Sequence, residues 1–131
     1  MSEQTDQNVE HIKKGYEAFA AGDVETLMSL FDDDIEWIQP GGSAVSGTYH
    51  GKGELGDLLS RLAVKSPTIK PRRILADGDM VVVLSDTTAG GEAAQDAEVY
   101  TLRNGKTVRA ELYGDTAMME RVYGKKQVAA R

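Results

Sequence analysis

The stretch from Asp96 to Tyr113 reads DAEVYTLRNGKTVRAELY and predicts two antiparallel strands joined by a tight turn. Asn104-Gly105 at its centre is the strongest hairpin signal in the chain, because both residues tolerate the positive φ angles of a two-residue turn. Upstream, Gly90-Gly91 and Asp77-Gly78-Asp79 predict two more turns that bound two more strands. The second half of the chain is therefore predicted to be an antiparallel meander.

The first half of the chain has the spacing of helices. Three segments place apolar residues three and four positions apart, which puts them on one helix face. Asp23 is predicted to cap the second helix, and the acidic triplet Asp32–Asp34 to end it. The apolar faces are Val9, Ile12, Tyr16 and Phe19 in the first helix, Val24, Leu27, Met28 and Phe31 in the second, and Leu55, Leu58, Leu59 and Leu62 in the third.

Between the second and third helices, Ile35–Gln39 is predicted to form a short strand, and the Gly-rich residues after it a loop. Asp115 is predicted to cap a final short helix. Helices followed by antiparallel strands predict an α+β fold with helices on one face of a curved sheet. We expect a single domain over residues 1–131, with a flexible tail at 124–131.

Composition excludes several classes of function. The 131 residues carry a net charge of −6, so nucleic acid and anionic membranes are not expected as partners. The chain has no cysteine, which excludes disulfides and thiolate metal sites and favours a cytoplasmic location. With two histidines far apart, we expect no metal, and no cofactor motif is convincing. The GKGELG segment at 51–56 fits a dinucleotide motif literally, but a loop is predicted before it instead of a buried parallel strand.

Several short motifs together carry a resemblance to a known superfamily. They are YEAFAAGD at 16–23, LF at 30–31, DIEW at 34–37, PGG at 40–42, GTYHG at 47–51 and RNGK at 103–106. In these the chain resembles the nuclear transport factor 2-like superfamily, in its SnoaL-like, ketosteroid-isomerase-like branch. The resemblance implies a cone of three N-terminal helices and a strongly curved, mostly antiparallel sheet enclosing an apolar pocket, in a homodimer. Isomerases, cyclases, hydrolases and non-catalytic binders all use this scaffold.

The resemblance also assigns positions to the isomerase mechanism, which needs a carboxylate base and an oxyanion hole made by a Tyr and a protonated Asp. The base position holds Gln39, which cannot take a proton at neutral pH, so that mechanism is not expected. The Tyr position falls at Gly15, one residue before Tyr16. The acidic position on the later strand is kept as Glu98.

Strand periodicity makes Glu98 the leading catalytic candidate. Asp96, Glu98, Tyr100 and Leu102 share one strand face; if that face is inward, Glu98 would be buried with a raised pKa and could act as acid or base. The alternative is that the Val99 face is inward and Glu98 is solvated.

On the neighbouring strand, Asp86 shares a face with Val82, Leu84 and Thr88 and is predicted to be the acid/base partner of Glu98. The alternative is a solvated strand end. His50, in the loop expected to form the pocket lip, is the third catalytic candidate, since a loop histidine near carboxylates could shuttle protons.

The predicted substrate-binding residues are mostly aromatic. They are Tyr16, Trp37, Gln39, Tyr49, Tyr100 and Asp115. The leading hypothesis is a cofactor-independent acid/base enzyme for a hydrophobic polyketide-, terpene- or steroid-like substrate. The rival is a non-catalytic ligand-binding or dimerisation module. Epoxide hydrolysis through Arg109 and Asp86 is a third reading, weakened because Arg109 shares its strand face with Glu111.

Overall fold

The computed structural model describes residues 2–127 and confirms an α+β fold with helices packed on a curved six-stranded sheet. The helices are α1 (Glu3–Ala21), α2 (Val24–Ser29), α3 (Gly51–Ala63) and α4 (Thr116–Tyr123). The strands are β1 (Phe31–Gln39), β2 (Gly47–His50), β3 (Thr68–Asp77), β4 (Met80–Ala89), β5 (Glu92–Arg103) and β6 (Lys106–Tyr113). No helix among these residues is long and apolar enough to cross a membrane.

The sheet has the strand order β2-β1-β6-β5-β4-β3, and every neighbouring pair is antiparallel except β1 and β6. The predicted meander is therefore confirmed as β3 to β6. Asn104 and Gly105 both have positive φ, 52° and 73°, as the two-residue turn requires. The parallel pairing places β1, from the first half of the chain, next to β6, one strand in from the edge of the sheet.

Strand β1 begins four residues earlier than its apolar run predicted. Asp32–Asp34 lie inside the strand, and α2 already ends at Ser29. Phe31 is 7% exposed and packs edge-on against Trp37 with ring centroids 6.1 Å apart, so it belongs to the core of the sheet and not to α2. A register shift against β6 between Phe31 and Glu36 accommodates the acidic residues.

The core lies between the helices and the inner face of the sheet. Ile12 of α1, Leu55 and Leu58 of α3, and Val81 and Val83 of β4 are buried together. Burial along β4 and β5 alternates with period two, so each strand has a defined inner face. This alternation decides which polar side chains reach the interior.

The chain after α4 returns to the Gly-rich loop. Lys125 bridges to Ser43, and the Lys126 amide donates to the Gly42 carbonyl oxygen over 2.8 Å. Residues 124–127 begin the segment predicted to be a flexible tail, and Lys125 and Lys126 are held by these contacts. The rest of that predicted tail, 128–131, lies outside the described residues.

Candidate functional site

Glu98 lies at the centre of a buried hydrogen-bond network. Tyr16 donates its hydroxyl to Oε1 of Glu98 over 2.8 Å, and the hydroxyl oxygens of Tyr16 and Tyr100 are also 2.8 Å apart. Ser85 donates to both carboxyl oxygens, each at 2.9 Å. The hydroxyl of Tyr16 has one proton, which it uses in the hydrogen bond to an ionised Glu98. In the bond between the two tyrosines Tyr100 is therefore the donor and Tyr16 the acceptor.

The predicted inward orientation of Glu98 is confirmed, since it is 3% exposed and Tyr100, on the same strand face, is 8% exposed. Burial raises the pKa of Glu98, while the hydrogen bonds from Tyr16 and Ser85 oppose the rise and the charge of Asp96 adds to it. Burial also raises the pKa of both tyrosines, so their hydroxyls stay protonated. The network can therefore hold or release a proton at Glu98 without ionising a tyrosine.

The prediction that Asp86 is the partner of Glu98 is wrong. Val81, Val83 and Ser85 form the inner face of β4, so Asp86 points outward, where Arg72 lies 3.7 Å from its carboxylate. Ser85, 1% exposed, occupies the interior position instead. Its hydroxyl is the functional group that sequence reasoning missed on this strand.

A second missed group is Asp96, which lies two residues before Glu98 on the same strand face and lines an apolar cavity. Burial raises the pKa of Asp96, the nearby Asp115 carboxylate raises it further, and the hydroxyl of Thr87 opposes the change. The two carboxyl groups also interact with each other, because the charge of Asp96 raises the pKa of Glu98. A pair of interacting carboxyls was predicted, and Asp96 takes the place given to Asp86.

The cavity beside Asp96, here called the inner cavity, measures about 140 Å³ between the sheet and helices α1 to α4. Its polar wall is Gln39, Asp96 and three threonines. The remaining lining is Phe19, Leu27, Phe31, Trp37, Leu59, Leu62, Pro67, Ile69, Ala89, Leu112, Met118, Met119 and Tyr123. Apolar surface with a few convergent polar groups is typical of a small-molecule site.

A larger groove of about 390 Å³, here called the outer groove, runs between α1, α2 and α3. It shares Phe19, Leu27, Leu59 and Pro67 with the inner cavity, so the two spaces adjoin along these side chains. Tyr16 and Tyr100 line a third, small void of about 30 Å³ that shares Leu27 and Phe31 with the inner cavity. Glu98 itself lines none of these three spaces.

Trp37 and Gln39, both predicted to bind substrate, lie in the wall of the inner cavity. Trp37 Nε1 donates to Oε1 of Gln39 over 3.1 Å, and both residues are buried. This bond occupies the amide oxygen and fixes the amide orientation, while Nε2 of Gln39 makes no hydrogen bond to any residue of 2–127. The amide nitrogen is therefore a donor available to a ligand.

His50 and Tyr49 lie away from the cavity, contrary to the prediction. His50 has a 65% exposed side chain, 3.8 Å from Glu36 on the outer side of the sheet, because it is the last residue of an edge strand. Tyr49 donates to the Val45 carbonyl oxygen over 2.7 Å and accepts from Arg61 over 2.9 Å. Its hydroxyl therefore holds the Gly-rich loop against α3 instead of facing a ligand.

Asp115 caps α4, accepting from the Met118 amide over 2.9 Å. It lines a small space of about 30 Å³ that shares Gln39, Asp96 and four further residues with the inner cavity and therefore adjoins it. Arg109 is exposed and bound to Glu36 and Glu111 on the outer sheet face, so it cannot form an epoxide-opening group with Asp86.

Within residues 2–127 no cluster of three or more His, Cys, Asp or Glu could hold a metal ion.

The GKGELG segment opens α3, but the strand before it, β2, is an antiparallel edge strand. The loop predicted at this position is therefore a short strand. A buried parallel strand, which a dinucleotide site requires, does not precede α3.

The SnoaL-like domain profile matches residues 12–110. An uncharacterised protein of Mycobacterium tuberculosis is 30% identical over 98 residues, which are 75% of this chain and 66% of that protein, so the match spans slightly less than two thirds of the relative.

Solved structures give longer matches. A nuclear transport factor 2-like protein of unknown function from Burkholderia pseudomallei has a TM-score of 0.82 and 26% identity, covering 94% of this chain and 98% of that one. TerC, co-crystallised with polyporic acid, has a TM-score of 0.81 and 26% identity, covering 89% of this chain and 98% of that one.

Proposed function

The chain belongs to the SnoaL-like domain family of the nuclear transport factor 2-like superfamily, and on that premise we propose that it binds a hydrophobic small molecule and performs acid/base chemistry on it without a cofactor. The observation that carries the proposal is Asp96, a carboxyl with a raised pKa in the wall of an apolar cavity. Titratable groups perturbed by burial in a cleft are candidates for acid/base function. The substrate class is polyketide-, terpene- or steroid-like.

In the proposed site Asp96 is the catalytic residue, because its carboxyl lines the inner cavity. Glu98 is a positioning residue that holds a charge or a proton two residues further along the same strand face. Tyr16 and Ser85 donate hydrogen bonds to it, and Tyr100 bonds to the hydroxyl of Tyr16. Burial raises the pKa of Glu98, and the charge of an ionised Asp96 adds to the rise, so Glu98 retains its proton to a higher pH than an isolated carboxyl does. Gln39 would donate to a substrate oxygen.

The simplest reaction of this kind is removal of a proton from the carbon beside a carbonyl. An ionised Asp96 takes the proton, the C–H electron pair forms an enolate, and Gln39 Nε2 donates a hydrogen bond to the enolate oxygen. In D2O, return of a deuteron to carbon replaces C–H by C–D, which proton NMR detects. The probe is 2-tetralone, a bicyclic aromatic ketone.

We expect the protein to accelerate deuterium exchange of bound 2-tetralone above the buffer rate, and Asp96→Asn to return the rate to that of buffer. Glu98→Gln should shift the pH profile of the exchange while retaining binding. The matched control is Asp57→Asn, because Asp57 is exposed on α3 and lines neither space. Exchange that persists in Asp96→Asn would contradict the assignment of Asp96.

The non-catalytic alternative has its own support. Glu98 is fully hydrogen-bonded and lies outside the cavity lining, and Gln39 is not a base. A binding module would hold 2-tetralone with an affinity unchanged by Glu98→Gln and would not accelerate exchange. Measuring binding and exchange on the same samples separates the two functions.

The partner proposal is a homodimer formed through the outer face of the sheet. Val82, Leu84 and Val99 point away from the helices on adjacent strands, and Leu75 beside them is 56% exposed. The ion-paired group of Glu36, Arg109 and Glu111 flanks this apolar surface. A self-complementary patch with a charged rim suits a two-fold interface. No nucleic acid or membrane partner is proposed, and the proposed location is cytoplasmic.

A further inference from the structure

The charge and volume of the two spaces narrow the ligand class, and this inference rests on the proposed function. We propose that the site takes an uncharged ligand, with an aromatic-sized ring carrying a hydroxyl or carbonyl oxygen in the inner cavity and an apolar tail in the outer groove. Carboxylate-bearing ligands of the same shape are rejected.

Charge selection follows from the lining residues. Among residues 2–127, the charged side chains that line these spaces are Asp96 in the inner cavity and Asp23 in the outer groove, and no Lys, Arg or His of this range lines either. A carboxylate placed there would lose its hydration without gaining a cationic partner, which is costly. The net charge of −6 on the chain acts in the same direction.

The volumes of the two spaces determine which part of the ligand each one can hold. The inner cavity, about 140 Å³, is close to the roughly 150 Å³ of an engineered cavity that binds benzene. Small-molecule sites usually occupy roughly 300–1,000 Å³, so a larger ligand needs a second space. The outer groove of about 390 Å³ shares Phe19 and Leu59 with the inner cavity, and the proposed ligand extends past these side chains. One ring therefore lies inside and the remainder outside.

Polar groups fix which end of the ligand is buried. In the inner cavity Gln39 Nε2 is an available donor, and Asp96 accepts when ionised and donates when protonated. A hydroxyl or carbonyl oxygen on the ring can bond to one or both. The outer groove offers the apolar side chains of Val24, Leu27 and Met28, which suit a hydrocarbon tail.

The test compares 4-butylphenol with 4-butylbenzoate, which share ring and tail and differ in charge at pH 7. Calorimetry measures both dissociation constants on the full chain. We expect 4-butylbenzoate to bind roughly tenfold or more weakly than 4-butylphenol. Leu59→Lys introduces a cation where the two spaces meet and should reduce this ratio by roughly threefold or more. Gly53→Lys is the control, an exposed position on the same helix outside both spaces.

Each outcome of this test supports or overturns a stated part of the inference. Equal binding of the two probes by the unaltered protein overturns the charge selection while leaving the proposed pocket standing. Binding of neither probe overturns the proposed function together with this inference. If Gly53→Lys changes the ratio as much as Leu59→Lys, the discrimination comes from the overall charge of the chain and the inference fails. If Leu59→Lys does not fold, Asp96→Asn must narrow the ratio instead, and an unchanged ratio there overturns the role of Asp96.

Discussion

The hydroxyl of Tyr16 on α1 donates to the carboxylate of Glu98 on β5 over 2.8 Å, joining residues 82 positions apart in the sequence. This contact ties the first helix to the centre of the sheet and closes the network that Ser85 completes from β4. Buried networks of this kind stabilise a fold only while every member is satisfied. In this network the hydroxyls of Tyr16, Ser85 and Tyr100 and both carboxyl oxygens of Glu98 all have partners, so the network meets that condition.

Removing the Ser85 hydroxyl should raise the pKa of Glu98 further. The Ser85 hydrogen bonds stabilise the charged form, so Ser85→Ala leaves burial less opposed. We expect a loss of about 1–3 kcal/mol in the free energy of unfolding at pH 8. Carbon-detected NMR titration of the Glu98 carboxyl and urea unfolding measure the two effects. Ser29→Ala, at an exposed hydroxyl, is the control; an unchanged Glu98 titration in Ser85→Ala would refute the prediction.

Substitution of Asp96 should change how stability depends on pH. Burial raises the pKa of Asp96 in the folded state, so the folded protein binds this proton more tightly than the unfolded chain does. Its contribution is fully present below the unfolded value of about 4 and is lost as pH rises through the folded value. The Asp96→Asn variant has no titrating carboxyl at this position, so its stability does not fall in this way as the pH rises.

The variant should therefore gain stability relative to the original protein between pH 4 and pH 8. Urea unfolding at several pH values measures the difference, with Asp57→Asn as the control for removal of one acidic group. Parallel stability curves for Asp96→Asn and the original protein would show that Asp96 titrates normally.

Alternation placed Glu98 on the same face of β5 as Tyr100 and Leu102 but left open which face is inward. The resemblance to the superfamily favoured the inward orientation, which the structure shows. The same reasoning failed on β4, because Met80 to Leu84 are all apolar and alternation does not show which face of the strand is inward. Both faces of that strand carry apolar side chains, and only packing against the helices decides that Val83 and Ser85 point inward. The error in Asp86 follows directly from this ambiguity.

The cavity role of Asp96 could not be predicted for a different reason. Strand period places it on the inner face, but its exposure to the cavity depends on where helices α1 to α4 leave space above the sheet. The extended β1 is a similar case, because burial of Phe31 outweighs the weak strand preference of three consecutive aspartates. Long-range packing, absent from local sequence, decided both.

His11 should make the fold less stable in mild acid. Burial lowers the pKa of His11, whose Nε2 lies 2.9 Å from the Leu30 carbonyl oxygen. The unfolded chain therefore binds the proton more readily, and stability falls as pH decreases below about 6.5. His11→Gln should reduce the slope of stability against pH between 7.5 and 5.5, where one group contributes at most about 1.4 kcal/mol per pH unit. Thermal unfolding checks this, with His50→Gln, at an exposed position, as the control.

The proposed dimer predicts that a charge on the outer sheet face releases monomers. Val99 pairs with Val82 on β4 and Glu111 on β6, so Val99→Lys places a cation in the middle of the apolar surface. Light scattering should give twice the 14.2 kDa chain mass for the original protein and the single mass for the variant. Val64→Lys, at a 76% exposed position after α3, should remain dimeric. A monomeric original protein would refute the dimer.

Gly114 should control the position of the Asp96 carboxyl. A Cβ at Gly114 would clash with Oδ1 of Asp96 and lie 2.9 Å from its Cγ, so Gly114→Ala must displace the carboxyl from its place in the cavity wall. We expect the pKa of Asp96 to return toward its ordinary value, exchange of 2-tetralone to fall to the Asp96→Asn level, and stability to drop by about 1–3 kcal/mol. Gly53→Ala is the control, since nothing lies within 4 Å of its added Cβ and a helical position gains about 0.4–1 kcal/mol from alanine. NMR titration of Asp96 tests this prediction. If the Asp96 carboxyl titrates identically in Gly114→Ala and in the original protein, its position does not depend on the missing side chain at residue 114.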